Sequence, residues 1–187
     1  METLQQDTSS ALFAPGSHVV YGLIGKCLVE KIETRTLSGK PESFYKLQPV
    51  KYGIIKSKKV EPSILVPITT AVSRGLRAPL TAAELPKIYS ILESREFYLP
   101  VGINWRDASV KIEKLVMLEG AQGLAKAMSY LYVVKNRQVV PPNEVQKLFE
   151  SIQRLLVREI CELTVEPMST TEVAIEKKLK NKLTLDN

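Results

Sequence analysis

The hydrophobic period of this chain changes once, at Thr81, and that change constrains the fold more than any other feature of its 187 residues. Before it, from Phe13 to about Arg77, short runs rich in β-branched and aromatic residues alternate with Gly-, Ser- and Pro-bearing turns. After it, apolar residues recur at spacings of three and four. Strands confined to one half and helices to the other are expected to build separate cores. The expected class is therefore α+β, with a β module followed by an all-helical one.

In the first half, Val19, Val20 and Tyr21 read as a short strand, and Gly22 and Gly25 bracket a turn. "KCLVEKIETRTL" reads as a longer strand that ends at Ser38-Gly39-Lys40-Pro41. Its alternation fails midway, because Val29 and Ile32 cannot share a face of a regular strand. A bulge or bend near Glu30-Lys31 is expected. "SFYKLQPV" and "SILVPI" supply further strands. Short strands this close together suggest a small, strongly bent antiparallel sheet or open barrel.

In the second half, "TAAE" (Thr81 to Glu84) has the form of a capping box, and Leu85, Ile88 and Leu92 follow at helical spacing. Pro86 places the helix start near Leu85, since a proline further in would lose a hydrogen bond and clash. Beyond Pro100-Val101-Gly102, Ile112, Leu115 and Val116 form one apolar stripe. Leu124, Met128, Leu131 and Tyr132 form a second, set off by Gly120 and Gly123. Val145, Leu148, Phe149, Ile152, Leu155 and Leu156 give the strongest amphipathic pattern, which Pro167 ends. A last segment opens with a cap candidate over Ser169 to Glu172 and ends in Lys177, Lys178, Lys180 and Lys182. The expected organisation is a disordered tail over 1–12, a β domain over 13–80, a connecting helix and linker over 81–100, a helical domain over 101–168, and a basic tail or short helix over 169–187.

The chemistry expected of an enzyme is missing from the sequence. The one histidine, His18, lies in strand-like sequence, and the spacing of Cys27 and Cys161 gives neither a metal pattern nor a disulfide framework. No phosphate loop, dinucleotide fingerprint or nucleophile elbow occurs. "GLIG" (Gly22 to Gly25) has the form of a KH-domain loop, but it lies between β-branched runs rather than helices and reads as a turn. No apolar run approaches the ~20 residues of a membrane span. The start, METLQQDTSS, has no signal-peptide core. The expectation is a cytoplasmic, monomeric non-enzyme with no cofactor, no metal and no membrane partner.

Charge points to a polyanionic partner. The net charge is +6. From Lys26 to Lys59 nine Lys/Arg stand against Glu30, Glu33 and Glu42. This is either an anion-facing surface or a set of lysines that blunt sheet edges. In the second half, Trp105 is the only tryptophan. It is followed by Arg106 and then by Lys111 and Lys114, which share a helix face. Such a group can hold phosphates and present a ring to an exposed base. Equally, Trp105 can fold back to seal a helical core, where large aromatics mostly lie.

"APGSHVVYGLIGKCLVEKIETRTLSGK" resembles the opening of the CarD family of bacterial RNA polymerase-binding transcription regulators. "ILVPITTAVSRGLRAP", "NWRDASVKIEKL" and "VVPPNEVQKLFESIQRLLVREI" are similar, in order, to later segments of that family. The resemblance runs from about Phe13 to Leu163. It implies a Tudor-like small antiparallel β-barrel that serves as the polymerase interaction domain, a domain shared with the transcription-repair coupling factor. It further implies that a strand around Ile64, Leu65 and Val66, together with Arg35, contacts the polymerase β subunit. The helical domain is implied to bind promoter DNA without sequence preference through Trp105, with Arg106, Lys111 and Lys114 the candidate phosphate contacts from the spacing above. The ring would wedge into the minor groove at the upstream fork of the bubble and stabilise the open complex. Two positions depart from the family pattern. Leu65 replaces an arginine, and Asp107 follows Arg106 where arginines cluster; Asp107 would repel phosphate unless it caps the helix. The alternative reading is a nucleic-acid-binding module, for RNA or DNA, that acts independently of polymerase.

Overall fold

A computed structural model describes residues 11–50, 62–96, 98–100, 102–137 and 142–180. The chain divides into two compact units, Met1–Ala78 and Pro79–Asn187. Among the described residues the architecture is α+β, with a five-stranded antiparallel sheet in the first unit and four α-helices in the second.

The strands are β1 (His18–Tyr21), β2 (Gly25–Leu37), β3 (Lys40–Pro49), β4 (Ile64–Pro67) and β5 (Leu76–Arg77), in the order β4-β3-β2-β1-β5. Among the described residues β4 and β5 are the two edges and do not pair with each other, so the sheet is open. β5 is a two-residue pairing with β1 inside the segment "GLRAP", too short to leave a periodic signal.

The parity break in β2 has the expected source. The register runs Val29↔Leu47 and then Lys31↔Lys46, so Glu30 is an extra residue. This bulge returns Ile32 to the face that carries Cys27 and Val29. That inner face packs Val19, Cys27, Val29, Tyr45, Leu47, Val66 and Leu76 into one core. Ala11 and Phe13 pack against it, and the Phe13 backbone N–H donates to the Tyr45 hydroxyl at 3.2 Å. Ala11, within the stretch expected as a tail, is thus packed. The rest of that expected tail, residues 1–10, lies outside the described residues.

β2 and β3 outrun their neighbours. β1 pairs β2 only as far as Leu28, and β4 pairs β3 only as far as Phe44. From Thr34 to Ser43 the hairpin is therefore a two-stranded ribbon, and Thr34 through Pro41 are all exposed. Its two-residue turn has positive φ at both Ser38 (51°) and Gly39 (79°), the twist that suits a right-handed ribbon.

The second unit holds α1 (Leu85–Glu93), α2 (Trp105–Asn136), α3 (Asn143–Thr164) and α4 (Met168–Lys180). Helix α1 starts at Leu85. Just before it, the Glu84 carboxylate accepts from both the backbone N–H and the hydroxyl of Thr81, at 2.9 and 2.7 Å. Helix α2 breaks at Gly120 (φ 57°, ψ −124°), a conformation essentially closed to any residue with a Cβ. The break separates the two apolar stripes seen in the sequence. The portion after it is buried nearly all round, from Gly123 to Val133, and is the centre of this unit. A Cβ on Gly123 would collide with the backbone carbonyl of Leu115, so the two portions of α2 pack at glycine distance.

Two segments read as a connecting helix and as a tail or short helix are helices that also pack within the second unit. Helix α1, expected as part of a connector over 81–100, is packed in the core through Ile88, Ile91 and Leu92. The Ser129 hydroxyl donates to the Ile91 carbonyl at 3.4 Å. Helix α4, expected as a tail or short helix over 169–187, buries Thr171, Ile175 and Leu179. Its Lys178 pairs with Glu93 at 2.6 Å and lies over the Tyr89 ring, 4.7 Å from the centroid. The helix starts at Met168 because Thr170 and Thr171 donate to the Pro167 carbonyl, so the candidate cap at Ser169 is already inside it. Lys182 lies outside the described residues. No helix among the described residues is long and apolar enough to cross a membrane.

Candidate interaction surfaces

β4 is an edge strand without a charge. Its sequence is Ile64-Leu65-Val66-Pro67, and among the described residues it pairs only with β3. Ile64 and Val66 face the core, while Leu65 stands half-buried on the outer face. Edge strands of soluble proteins usually carry lysine, a bulge or proline to discourage further pairing. Here only Pro67, at the last position, does so. The lysines of the five-stranded part of the sheet lie elsewhere: Lys26 and Lys31 on β2 and Lys46 on β3, both inner strands there, while Lys40 is at the tip of the two-stranded ribbon. Lys26, Lys31 and Lys46 decorate the outer face and do not blunt an edge.

The register aligns that outer face in rows. Leu65, Lys46 and Lys31 form one row, and Pro67, Phe44 and Glu33 form the next. Arg35 comes one outer-face position further along β2, on the two-stranded ribbon. Arg35 and the Ile64–Val66 strand thus belong to one sheet, on and beside one face.

The cations are mostly engaged. Nη2 and Nε of Arg35 both donate to Glu33 Oε1, at 2.6 and 2.7 Å, and Lys31 reaches the other carboxylate oxygen at 3.1 Å. The Lys31 ammonium, and then the Arg35 guanidinium, hold the Glu33 carboxyl below the usual carboxylate range. Lys46 pairs with Glu30 at 3.0 Å. Lys51, Lys56, Lys58 and Lys59 lie outside the described residues. Lys31, Arg35 and Lys46 are therefore engaged by carboxylates, which weakens the case for a bare anion-binding face.

In the second unit Trp105 is the first residue of α2. The cap before it is Asn104, whose side-chain oxygen accepts from the Asp107 backbone N–H at 2.9 Å. The Asn104 amide returns a bond to the Asp107 carboxylate at 2.7 Å. Asp107, a cap candidate on the sequence, is instead the partner of the cap at the third helical position. A negative charge there is favourable with respect to the helix dipole. The N-x-x-D spacing was the available signal for Asn104.

Trp105 is half-buried. At roughly 100° per residue it lies on the side of Ala108, Ile112 and Val116, all buried. Lys114 is then ~180° away around the helix and Lys111 ~120° away. Arg106 is ~100° from Trp105 around the helix, nearly as far as Lys111, and ~80° from Lys114, so of the four residues expected to act together on DNA the fold gathers no cation on the Trp105 side. Arg106, Lys111 and Lys114 are all exposed.

His18 is exposed on β1. Cys27 is buried, its thiol 3.6 Å from the Gly25 carbonyl, and the Cys161 thiol donates to the Thr171 hydroxyl at 3.2 Å. Among the described residues no group of three His, Cys, Asp or Glu could hold a metal ion. The chain matches no protein-family model. It matches no curated protein sequence either.

Proposed function

We propose that this chain is a non-enzymatic, cytoplasmic regulator of bacterial transcription of the CarD type, bridging the RNA polymerase β subunit and promoter DNA. The observation that carries the reading is the uncharged edge strand β4, open to a further strand among the described residues. Strand addition to such an edge draws affinity from backbone hydrogen bonds, so it tolerates Leu65 in place of the family's arginine. In this reading the open sheet is a Tudor-like barrel left unclosed, and Arg35 lies near enough to touch the surface around the added strand.

Trp105, half-exposed at a capped helix start, is the DNA wedge, with Arg106 beside it. Melting duplex costs on average about 1.4 kcal/mol of stacking per step. A ring that binds only the distorted fork shifts the closed–open balance by its differential affinity, and about 1.4 kcal/mol of it is tenfold. Attachment to polymerase raises the local concentration, so weak contacts suffice.

The test is binding of the intact chain to the isolated β subunit, followed by open-complex lifetime on a promoter. Arg35→Glu is expected to weaken β binding, and Leu65→Arg to strengthen it. Trp105→Ala is expected to leave β binding unchanged and to shorten the open-complex lifetime. Absence of β binding by the intact chain rejects the polymerase half. A Trp105→Ala protein that unfolds its helical unit, while Trp105→Phe restores fold and lifetime alike, assigns the ring to the core and rejects the wedge.

A further inference from the structure

The first portion of α2 exposes a second surface, away from Trp105. Val110 and Leu118 are 62% and 64% exposed. With Lys114 between them they form an i, i+4, i+8 stripe, and Lys111 and the half-buried Met117 flank it. The opposite side of the same helix buries Ala108, Ile112 and Val116. This portion of α2 is therefore apolar on two faces, only one of which is covered within its own unit. Eight residues span about 12 Å of helix, the spacing of two anchor positions on a partner helix laid alongside.

The charge of this face leans positive. Lys111 and Lys114 make no ion pair among the described residues, Asp107 is bonded to the Asn104 cap, and the exposed Glu113 stands at the edge of the stripe, ~100° around the helix from Lys114. We infer that the Val110–Lys114–Leu118 face docks an acidic amphipathic helix of a protein partner, with aliphatic side chains seated against Val110 and Leu118 and carboxylates on Lys111 and Lys114. A phosphate backbone would satisfy the lysines but leave the two aliphatic side chains against a charged, hydrated strand. A protein helix satisfies both. The surface does not depend on the polymerase reading, and it makes the Lys111–Lys114 pair a protein contact instead of a DNA contact.

The test uses the full-length chain, isotopically labelled, and a synthetic 20-residue peptide. The peptide carries leucines at helical spacing on one face and glutamates on the other; the control has the same composition in scrambled order. Saturable shifts at 110–118 with an unmoved Trp105 indole signal are expected. Val110→Gln with Leu118→Gln should weaken binding by at least about tenfold, as burial of two aliphatic side chains implies. Lys111→Glu with Lys114→Glu should abolish it. Both pairs are exposed, and unchanged melting temperatures will verify the fold. The inference is overturned if the scrambled peptide binds equally, if the glutamine variant binds as well as the parent, or if no saturable binding occurs. It is also overturned if forked duplex DNA displaces the peptide, because the surface then belongs to nucleic acid. Loss of fork binding in Trp105→Ala with peptide binding intact separates the two surfaces.

Discussion

Asn104 and Asp107 bond each other twice across the first turn of α2, backbone to side chain at 2.9 Å and side chain to side chain at 2.7 Å. The pair fixes where the helix begins and hence where Trp105, between them, is held. Asn104→Ala leaves the Asp107 N–H without its cap, and we predict a loss of about 1 kcal/mol in the stability of the helical unit, measured by denaturant unfolding. Asn104→Gly should cost only a few tenths. No loss in Asn104→Ala would show that the cap hydrogen bond contributes nothing.

The same turn should govern charge at the wedge. Asp107→Asn retains a side chain able to bond Asn104 and removes one negative charge next to Trp105 and Arg106. If these two residues meet DNA, affinity for a forked duplex rises in Asp107→Asn, and the log–log salt dependence stays nearly parallel to the parent's because no new cation is added. Unchanged affinity across salt concentrations would place Trp105 away from phosphate.

Much of the architecture was legible because it rests on local rules. The Val29/Ile32 conflict announced the bulge at Glu30, Pro86 announced the start at Leu85, and Gly120 marked the boundary between two stripes. The candidate surfaces were legible only as residue names. Trp105, Lys111 and Lys114 are close in sequence, yet helical geometry sends them to different faces. Likewise, nothing in "KIETRTL" says that Glu33 will hold Arg35, because each side chain has several rotamers and the ion pair selects among them. The packing of α1 and α4 was missed because short amphipathic segments at a domain boundary look the same whether they pack or connect.

Glu33 supplies a pH test of that ion-pair cluster. Lys31 and Arg35 favour its charged form in the folded chain, so its carboxyl titrates below the usual carboxylate range. A depressed folded-state pKa contributes stability that is present above the unfolded-state pKa and is lost as pH falls through the folded value. A carbon-detected titration of the Glu33 side chain should show a midpoint below that of a free glutamate. It should move upward in Arg35→Ala and again at 1 M salt, where the Debye length is about 3 Å. A midpoint indifferent to both changes would mean that the contacts do not persist in solution.

Val165 ends α3 in the left-handed region, φ 59° and ψ 29°, and is 88% exposed. A β-branched residue there is strained, and exposure means that little packing is lost on its removal. Val165→Gly should therefore stabilise the helical unit by about 0.5–1 kcal/mol, after the added chain entropy of glycine is set against relief of the left-handed strain. Val165→Asn, which tolerates this region, should also stabilise. Destabilisation by both would indicate that Val165 is covered in the folded protein.

Gly123 makes the sharpest demand on the second unit. It lies in the buried portion of α2, where alanine would ordinarily improve a helix by roughly 0.8–1 kcal/mol. A methyl at this position meets the Leu115 carbonyl and sits close to the Val116 backbone, which no rotamer change can move aside. We predict that Gly123→Ala destabilises by about 1–3 kcal/mol despite its better propensity, because the two portions of α2 must separate to admit it. Gly102→Ala is the control for positive-φ strain alone, since nothing lies within 4 Å of a Cβ there. The distinguishing measurement is long-range. Separation at Gly123 should perturb the environments of Val116 and Leu124 on both sides of the break, visible as methyl chemical-shift changes, whereas Gly102→Ala should leave them in place. If Gly123→Ala proves neutral or stabilising, the close approach of the two helical portions is wrong, and with it the angle at which Trp105 is presented.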